Sequence, residues 1–458
     1  MCYLALADNS LSLGGKPHNH SGDMAAAEAK EVLNSLKRKA ADQPLSVTQN
    51  LVSEVLAGQS LAVNQRLPAL ESLAKTAQRA KAKACGSCTF PEAKTSSDFV
   101  LPPSCTSTKR EENFVLYDGV TDRNVRVIIF STQRNIQILS CYPNWICDGT
   151  FYVCPKLFAQ SYSIHSVINN KCVPLVYALT GDMKGDTYSH VIGVIKYFVE
   201  VKLKLGPMNY GSVLIDFEKA AMNAFEDVLP GYIVRNCFFH LCQSCQKKIQ
   251  EKFKIKYFSD KSFAIASRLV VFLAFVPIAD IDDAFYEVTY YIQSTYPQLM
   301  FVLNYFENTY LGGVSVDHEE RIIPRFPSRF WNHFDAILYD PNFPRTSNMV
   351  EGFHRGFRTR VHRPKPSVQE YFRAIDQQQV MTDYHLDRLV GGKTPSKRRR
   401  MNNHELYDIC KSYSTFSSKL EYLIAVAKCF MKKKPASGTS SASVTGCATA
   451  SCMIGRYY

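Results

Sequence analysis

Acidic residues are the scarce class in this sequence. Of 458 residues only 41 are Asp or Glu against 54 Lys or Arg, leaving a net charge of +13. That balance leaves a polyanion such as nucleic acid as the partner class the charge suits. Long uninterrupted apolar runs are also missing. The longest, residues 263–281, carries Arg268 and Pro277, which argues against a membrane span and for a buried core helix. No membrane partner is expected. No apolar secretory core with a cleavage site follows Met1, and the 15 cysteines are scattered without the spacing of a small secreted framework. The expectation is therefore reduced, intracellular thiols. What remains is a mostly globular chain long enough for two or three domains.

Residues 1–22 contain LGGKPHNHSGD, with His18 and His20 two apart in a Gly/Pro-rich turn and Cys2 upstream. Two readings stand: a short zinc-ligating loop or a polar surface turn. Residues 23–85 read as a helical region, with helices over 25–39, 46–57 and 68–83. Residues 86–112, rich in Ser, Pro and Cys without periodicity, read as a linker and a domain boundary. Alternating residues over 113–130 predict a hairpin with Asp118 and Gly119 at its turn.

Next comes NWICDGTFYV (144–153), where a lone carboxylate, Asp148, interrupts β-branched and aromatic residues. Burying it costs several kcal/mol unless a metal or partner compensates. SYSIHSVI (161–168) and CVPLVYAL (172–179) complete an antiparallel meander with it. A helix over 187–205 follows, then GSVLIDFEKAAMNAF (211–225), a strand ending on Asp216 and opening into a helix. A strand over 232–239 and a basic helix over 241–256 come next. Three hairpin strands and then strand-helix-strand-helix is the order of an α/β, ribonuclease H-like fold with a mixed sheet flanked by helices. Residues 257–340 read as a helical insertion. Residues 341–390 resume the catalytic domain with Glu351 in RTSNMVEGFHRGF (345–357). A basic loop and last helix over 391–434 and a disordered tail over 435–458 close the chain.

Asp148, Asp216 and Glu351 on strand, strand end and helix make the leading chemical hypothesis. Phosphodiester cleavage needs charge neutralised on both attacking and leaving oxygens, which two divalent ions roughly 4 Å apart provide. Oxygen ligands favour magnesium or manganese. Taken singly, Asp216 also reads as a helix cap and Glu351 as an ordinary exposed residue.

DGTFYVCPKLFAQSYSIHSV, PLVYAL, LIDFEKAAMNAF, CFFHLCQSCQKKIQ, NYFENTYLGG, RFPSRFWN and RTSNMVEGFHRGF together closely resemble, in order and spacing, the catalytic domain of Mutator-like (MULE) transposases over residues 113–385. The resemblance implies that Asp148, Asp216 and Glu351 are DDE metal ligands on a ribonuclease H-like fold with a helical insertion. The separation 351 − 216 = 135 residues accommodates that insertion. It also implies a metal-dependent enzyme that nicks DNA at element ends and joins 3′-hydroxyls to target DNA, acting in the nucleus as an oligomer on two ends. A non-catalytic DNA-binding derivative of such an element is the rival class. The family's Cys-x2-His motif falls on Cys237 and His240, which with Cys242 and Cys245 read either as zinc ligands or as small buried thiols. Residues 1–22 resemble the tail of a FLYWCH-type zinc finger, though the aromatic core and first cysteine that module needs are absent upstream of Cys2. Either the chain begins inside a longer product or the module has decayed.

The remaining expectations concern DNA contacts. His354, Arg355, Arg358, Arg360 and Arg363 with Lys247 and Lys248 are candidate DNA-binding residues, with the metal shell a second reading for His354. KRRR (397–400) reads as a nuclear localisation signal or a solvated loop. His165, on an alternating strand, reads as a core histidine.

Overall fold

The computed structural model of the chain describes residues 3–5, 11–13, 23–43, 46, 48–84, 93–169, 171–313, 322–341, 343–361, 363–390 and 401–431. The chain divides into two units, Met1–Phe90 and Pro91–Tyr458.

The first unit holds a short antiparallel ribbon of β1 (Tyr3–Ala5) and β2 (Leu11–Leu13) and four helices, α1 (Met24–Asp42), α2 (Thr48–Leu56), α3 (Leu61–Arg66) and α4 (Leu70–Ala84). Helical spacing puts Val32, Leu36 and Ala40 of α1 on one face, where they bury against Leu51, Val55, Leu73 and Ala77. Asp23 starts α1 by accepting the Ala26 N–H at 2.9 Å. The sequence reading missed α3. Ser60 caps its start, and extended Leu67 before Pro68 stops it. His18 and His20 lie outside the described residues.

The second unit is an α/β structure. Its seven-stranded mixed sheet has the order β3-β4-β7-β6-β5-β8-β9. The strands are β3 (Val115–Val120), β4 (Arg126–Phe130), β5 (Asn144–Thr150), β6 (Gln160–Ile168), β7 (Lys171–Thr180), β8 (Gly211–Ile215) and β9 (Tyr232–Asn236). The first five in chain order pair antiparallel, whereas β5, β8 and β9 run parallel. Between them lie α5 (Gln133–Cys141), α6 (Gly185–Tyr197) and α7 (Lys219–Val228); α8 (Phe238–Ser259) follows β9. α5 was not anticipated; Thr132 caps it by accepting the Asn135 N–H at 3.1 Å.

Four expectations are corrected here. Asp118 and Gly119 sit inside β3 rather than at the hairpin turn. Residues 121–125 make that turn, with Asn124 in the left-handed region at φ 59° and the Thr121 N–H donating to the Val125 carbonyl. Asn tolerates that conformation better than the Asp-Gly reading allowed for, and across the hairpin Arg126 ion-pairs with Asp118. Residues 93–112 are not linker: Phe99 is buried edge-on against Phe158, and Ser107 bridges to Asn113. A single ring filling a pocket has no periodicity to betray it.

The third correction concerns residues 263–281. Residues 263–276 are largely buried as expected, Ile278 is exposed, and the stretch forms α9 (Lys261–Ala266), then a 3-10 helix over Leu269–Phe275, not one α-helix. Every residue of that 3-10 stretch is buried, and Pro277 excludes helical continuation. The helical stretch continues through α10 (Ile281–Thr295), α11 (Met300–Phe306), α12 (Ser328–Trp331) and α13 (Phe334–Tyr339). α14 (Asn348–Val361) and α15 (Val368–Val390) return to the sheet. The single helix expected near 405–432 is two, α16 (Met401–Lys411) and α17 (Lys419–Met431). Ser418 and Glu421 form a capping box at the restart, the serine hydroxyl accepting the Glu421 N–H and the Glu421 carboxylate accepting the Ser417 N–H. Among the described residues no helix is long and apolar enough to cross a membrane. Residues 391–400 and 435–458 lie outside the described residues.

Candidate metal centre

Alternation along β5 sorts its side chains onto two faces. Trp145 and Cys147 enter the main core, while Ile146 packs in a small cluster with Leu214 of β8 and Val350 of α14. Ile146 and Leu214 are register partners on adjacent parallel strands. Asp148 lies two residues beyond Ile146 and Asp216 two beyond Leu214, so period-two geometry returns both carboxylates to the face that α14 covers, at neighbouring strand ends. Glu351 follows Val350, the residue that seats α14 on this face. Helix, strand and strand end thus deliver one acid each to one place. Gly149 follows Asp148, and a Cβ there would meet Gln160 Nε2 at 1.7 Å, so a larger residue would displace the Gln160 side chain.

Electrostatics report the same proximity. Burial raises the Glu351 carboxyl above its ordinary range; the charges of Asp148 and Asp216 add to the rise, and His240 and Arg355 oppose it. Glu218 behaves alike: burial raises it, the Tyr188 hydroxyl opposes by donating at 2.8 Å, and Asp216 and Asp148 push it further. Glu218 is a fourth acid at this site that the sequence reading did not single out.

Each aspartate has a histidine. His354 Nδ1 lies 3.1 Å from Asp148 Oδ2. Its Nε2 faces the Ser163 hydroxyl at 3.4 Å, which in turn meets His165 Nε2 at 2.9 Å. Asp148 and Ser163 are cross-strand partners, as are Ile146 and His165, so the whole chain of polar groups shares the acidic face. Burial, with the nearby His354, holds His165 well below the usual histidine range. His165 is a core histidine, as read, but one that ends this relay.

His240 Nδ1 approaches Asp216 Oδ1 to 2.8 Å, yet among the described residues neither atom has a hydrogen-bond partner; the approach is close but poorly directed. Burial alone would lower His240, but the closeness of the Asp216 carboxylate and the Cys237 sulfur outweighs it and raises His240 to about 11. Asp216, Cys237 and His240 each offer a ligand atom within 4.8 Å of the others. Cys242 and Cys245 stay out of this group; Cys245 is buried in the main core. The Cys237 sulfur also accepts from the Ser347 N–H and hydroxyl, at 3.2 and 3.3 Å. The Ser347 carbonyl accepts the Glu351 N–H at 3.0 Å. Cys237 therefore anchors the start of α14 and with it the first-turn position of Glu351.

The candidate DNA contacts separate. His354 is buried, its Nδ1 on Asp148, and is not displayed to a duplex. Arg360 donates to Gln378 and Arg363 pairs with Glu370, so both are held by α15. Arg355 and Arg358 line a cavity of about 350 Å³ together with Asp148, Glu351, His354 and residues 149–152. Asp216 is not in that lining. Lys247 and Lys248 lie roughly 10–12 Å beyond His240 along α8. Lys248 is half-buried near Glu251 and the Tyr305 ring. Neither a scan against protein-family models nor a search of the curated proteins finds a match for this chain.

Proposed function

We propose that this chain is a metal-dependent DNA-cutting and strand-transferring enzyme of the Mutator-like transposase kind, its seven-stranded sheet serving as a ribonuclease H-like scaffold. The observation that carries the reading is the delivery of Asp148, Asp216 and Glu351 to one sheet face by two adjacent parallel strands and a helix. The residues fit a cation. Three mutually repelling acids share the site, and Asp216 Oδ1 and His240 Nδ1 lie 2.8 Å apart without a well-directed hydrogen bond among the described residues. Magnesium or manganese suits the carboxylate oxygens of Asp148, Asp216 and Glu351; the mixed Asp216, Cys237 and His240 set suits zinc. When bound, such ions neutralise charge on the phosphate and activate the nucleophile.

The protein's own groups do the rest. His354 engages one oxygen of Asp148 and so orients its carboxylate. Arg355 and Arg358, in the same cavity as Asp148 and Glu351, supply positive charge for DNA phosphates. Working on two element ends calls for an oligomer, and work on chromosomal DNA for the nucleus.

Glu351→Gln tests the reading. Gln keeps the shape of Glu and removes one charge from the cage, so DNA nicking in magnesium should fall about 10³-fold, a loss of roughly 4 kcal/mol, while DNA binding persists. Equal cutting by both proteins on DNA carrying the element ends would remove Glu351 from the ligand set. Binding by both without cutting in any divalent metal would favour the non-catalytic DNA-binding derivative.

A further inference from the structure

Immediately after Asp148, β5 ends in a bend that presents two consecutive aromatic rings. Phe151 is 51% exposed and Tyr152 38% exposed, and among the described residues neither ring packs against another ring. A single exposed ring is ordinary; two in succession lining the cavity that also holds Asp148 and Glu351 are not. The bend is held from both sides. Val153 and Cys154 are fully buried beyond it, and the Tyr152 carbonyl accepts the Lys365 N–H at 2.8 Å. The rings are therefore positioned by packed backbone. Opposite them, α14 contributes Arg355 and Arg358, the Arg358 guanidinium lying 5.1 Å from the centre of the Tyr152 ring.

We propose that Phe151 and Tyr152 form a stacking subsite for an unpaired nucleobase next to the phosphate being cut, with Arg355 and Arg358 holding the adjoining backbone. The inference rests on the nuclease reading and names what that site prefers: DNA whose terminal bases are unpaired or flipped out. Exposed rings interleaved with guanidinium groups are the chemistry of single-strand binding, since every base offers a π-face and the backbone offers phosphates. A paired duplex shows a protein only base edges in its grooves. A base must leave the stack to lie on a ring. The volume of about 350 Å³ falls in the range of small-ligand sites, about 300–1,000 Å³.

The experiment uses the full chain and a short single-stranded oligonucleotide containing 2-aminopurine, with the matched duplex as comparison. Stacking quenches the probe. Wild type should quench it and bind the single strand, and the Phe151→Ala, Tyr152→Ala double variant should lose about 5- to 150-fold in single-strand affinity per base no longer stacked. Its duplex affinity should stay within about twofold, because phosphate contacts carry that term. Phe151→Tyr and Tyr152→Phe, which keep the rings, should bind as wild type, and unchanged melting temperatures would confirm folding. Absence of quenching in wild type, or equal loss of single-strand and duplex affinity in a folded double variant, overturns the subsite. Quenching by a chain that cuts no DNA in any metal keeps the subsite and removes the nuclease reading. Cutting without ring-dependent single-strand binding does the reverse.

Discussion

The two faces of β5 are one residue apart and do opposite things. Trp145 and Cys147 point into the main core, where Trp145 stacks obliquely on Tyr232 at 5.0 Å and donates its indole N–H to the Leu139 carbonyl at 3.1 Å. Ile146 and Asp148 point to α14, where one apolar cluster of Ile146, Leu214 and Val350 gives way within two residues to acids, histidines and a hydroxyl. The first face is satisfied by itself. The second collects charges that repel, and an Asp216–His240 pair 2.8 Å apart without a well-directed hydrogen bond among the described residues. The difference teaches that the strand is bought by one face and used by the other.

Mutations should separate the faces. The largest effect on stability belongs to the core face: Trp145→Ala should destabilise by about 3–5 kcal/mol through the cavity it leaves, with the Leu139 carbonyl losing its donor. Urea denaturation reads this directly, and a loss under about 1 kcal/mol would show that Trp145 does not organise the core. Cys237→Ala comes next. It strips the buried Ser347 N–H and hydroxyl of their acceptor, at a cost of about 1–3 kcal/mol. That loss should be the same with and without chelator if the sulfur serves as an anchor for α14. A loss that disappears in chelator would instead make Cys237 a metal ligand.

A pH effect arises away from both faces. His333 is fully buried, its Nε2 donating to the Asn236 carbonyl at 3.0 Å. Burial first, then the charges of Arg235 and Arg345, hold it down to about 3. Its folded value lies below the unfolded one of 6.5. Between the two the unfolded chain binds the extra proton, so stability from this group is intact above pH 6.5 and declines as pH falls toward 3. His333→Gln should flatten that decline in chemical denaturation measured across this range. An unchanged slope would place the acid sensitivity elsewhere.

Much of this comparison was legible before the fold was known, and for a physical reason. A carboxylate inside a β-branched run, as at Asp148, and another at the strand-to-helix step, as at Asp216, conflict with local rules. Strand and helix periodicity likewise sufficed for the meander and for the βα steps. What stayed hidden depends on side chains meeting across long separations. His354 finds Asp148 from 354 − 148 = 206 residues away, and Ser347 finds Cys237 from 110 away. Glu218 carries no local signal in the sequence; Tyr188 and Asp148 come to it from other elements. Phe99 was read as linker because one anchoring ring carries no period. The Asp118-Gly119 pair misled through turn propensity alone, where the Arg126 ion pair and Asn124 decided the register.

The smallest expected effect is the most discriminating one, because its sign changes with conditions. Burial and the charges of Asp148 and Asp216 disfavour ionised Glu351 in the metal-free fold. Removing that charge in Glu351→Gln should therefore leave stability in chelator unchanged or raise it by a few tenths of a kcal/mol, unlike most changes at a half-buried residue. Adding magnesium should reverse the order. Wild type gains stability by mass action, since the ion binds only the folded cage, whereas the variant has lost one ligand charge and should gain less. Paired melting curves in chelator and in magnesium measure both signs on one sample. If Glu351→Gln is destabilised in chelator, Glu351 is part of the packing and belongs with the Trp145 face. If both proteins gain equally from magnesium, the ion is held elsewhere, and the acidic face owes its crowding to some other ligand.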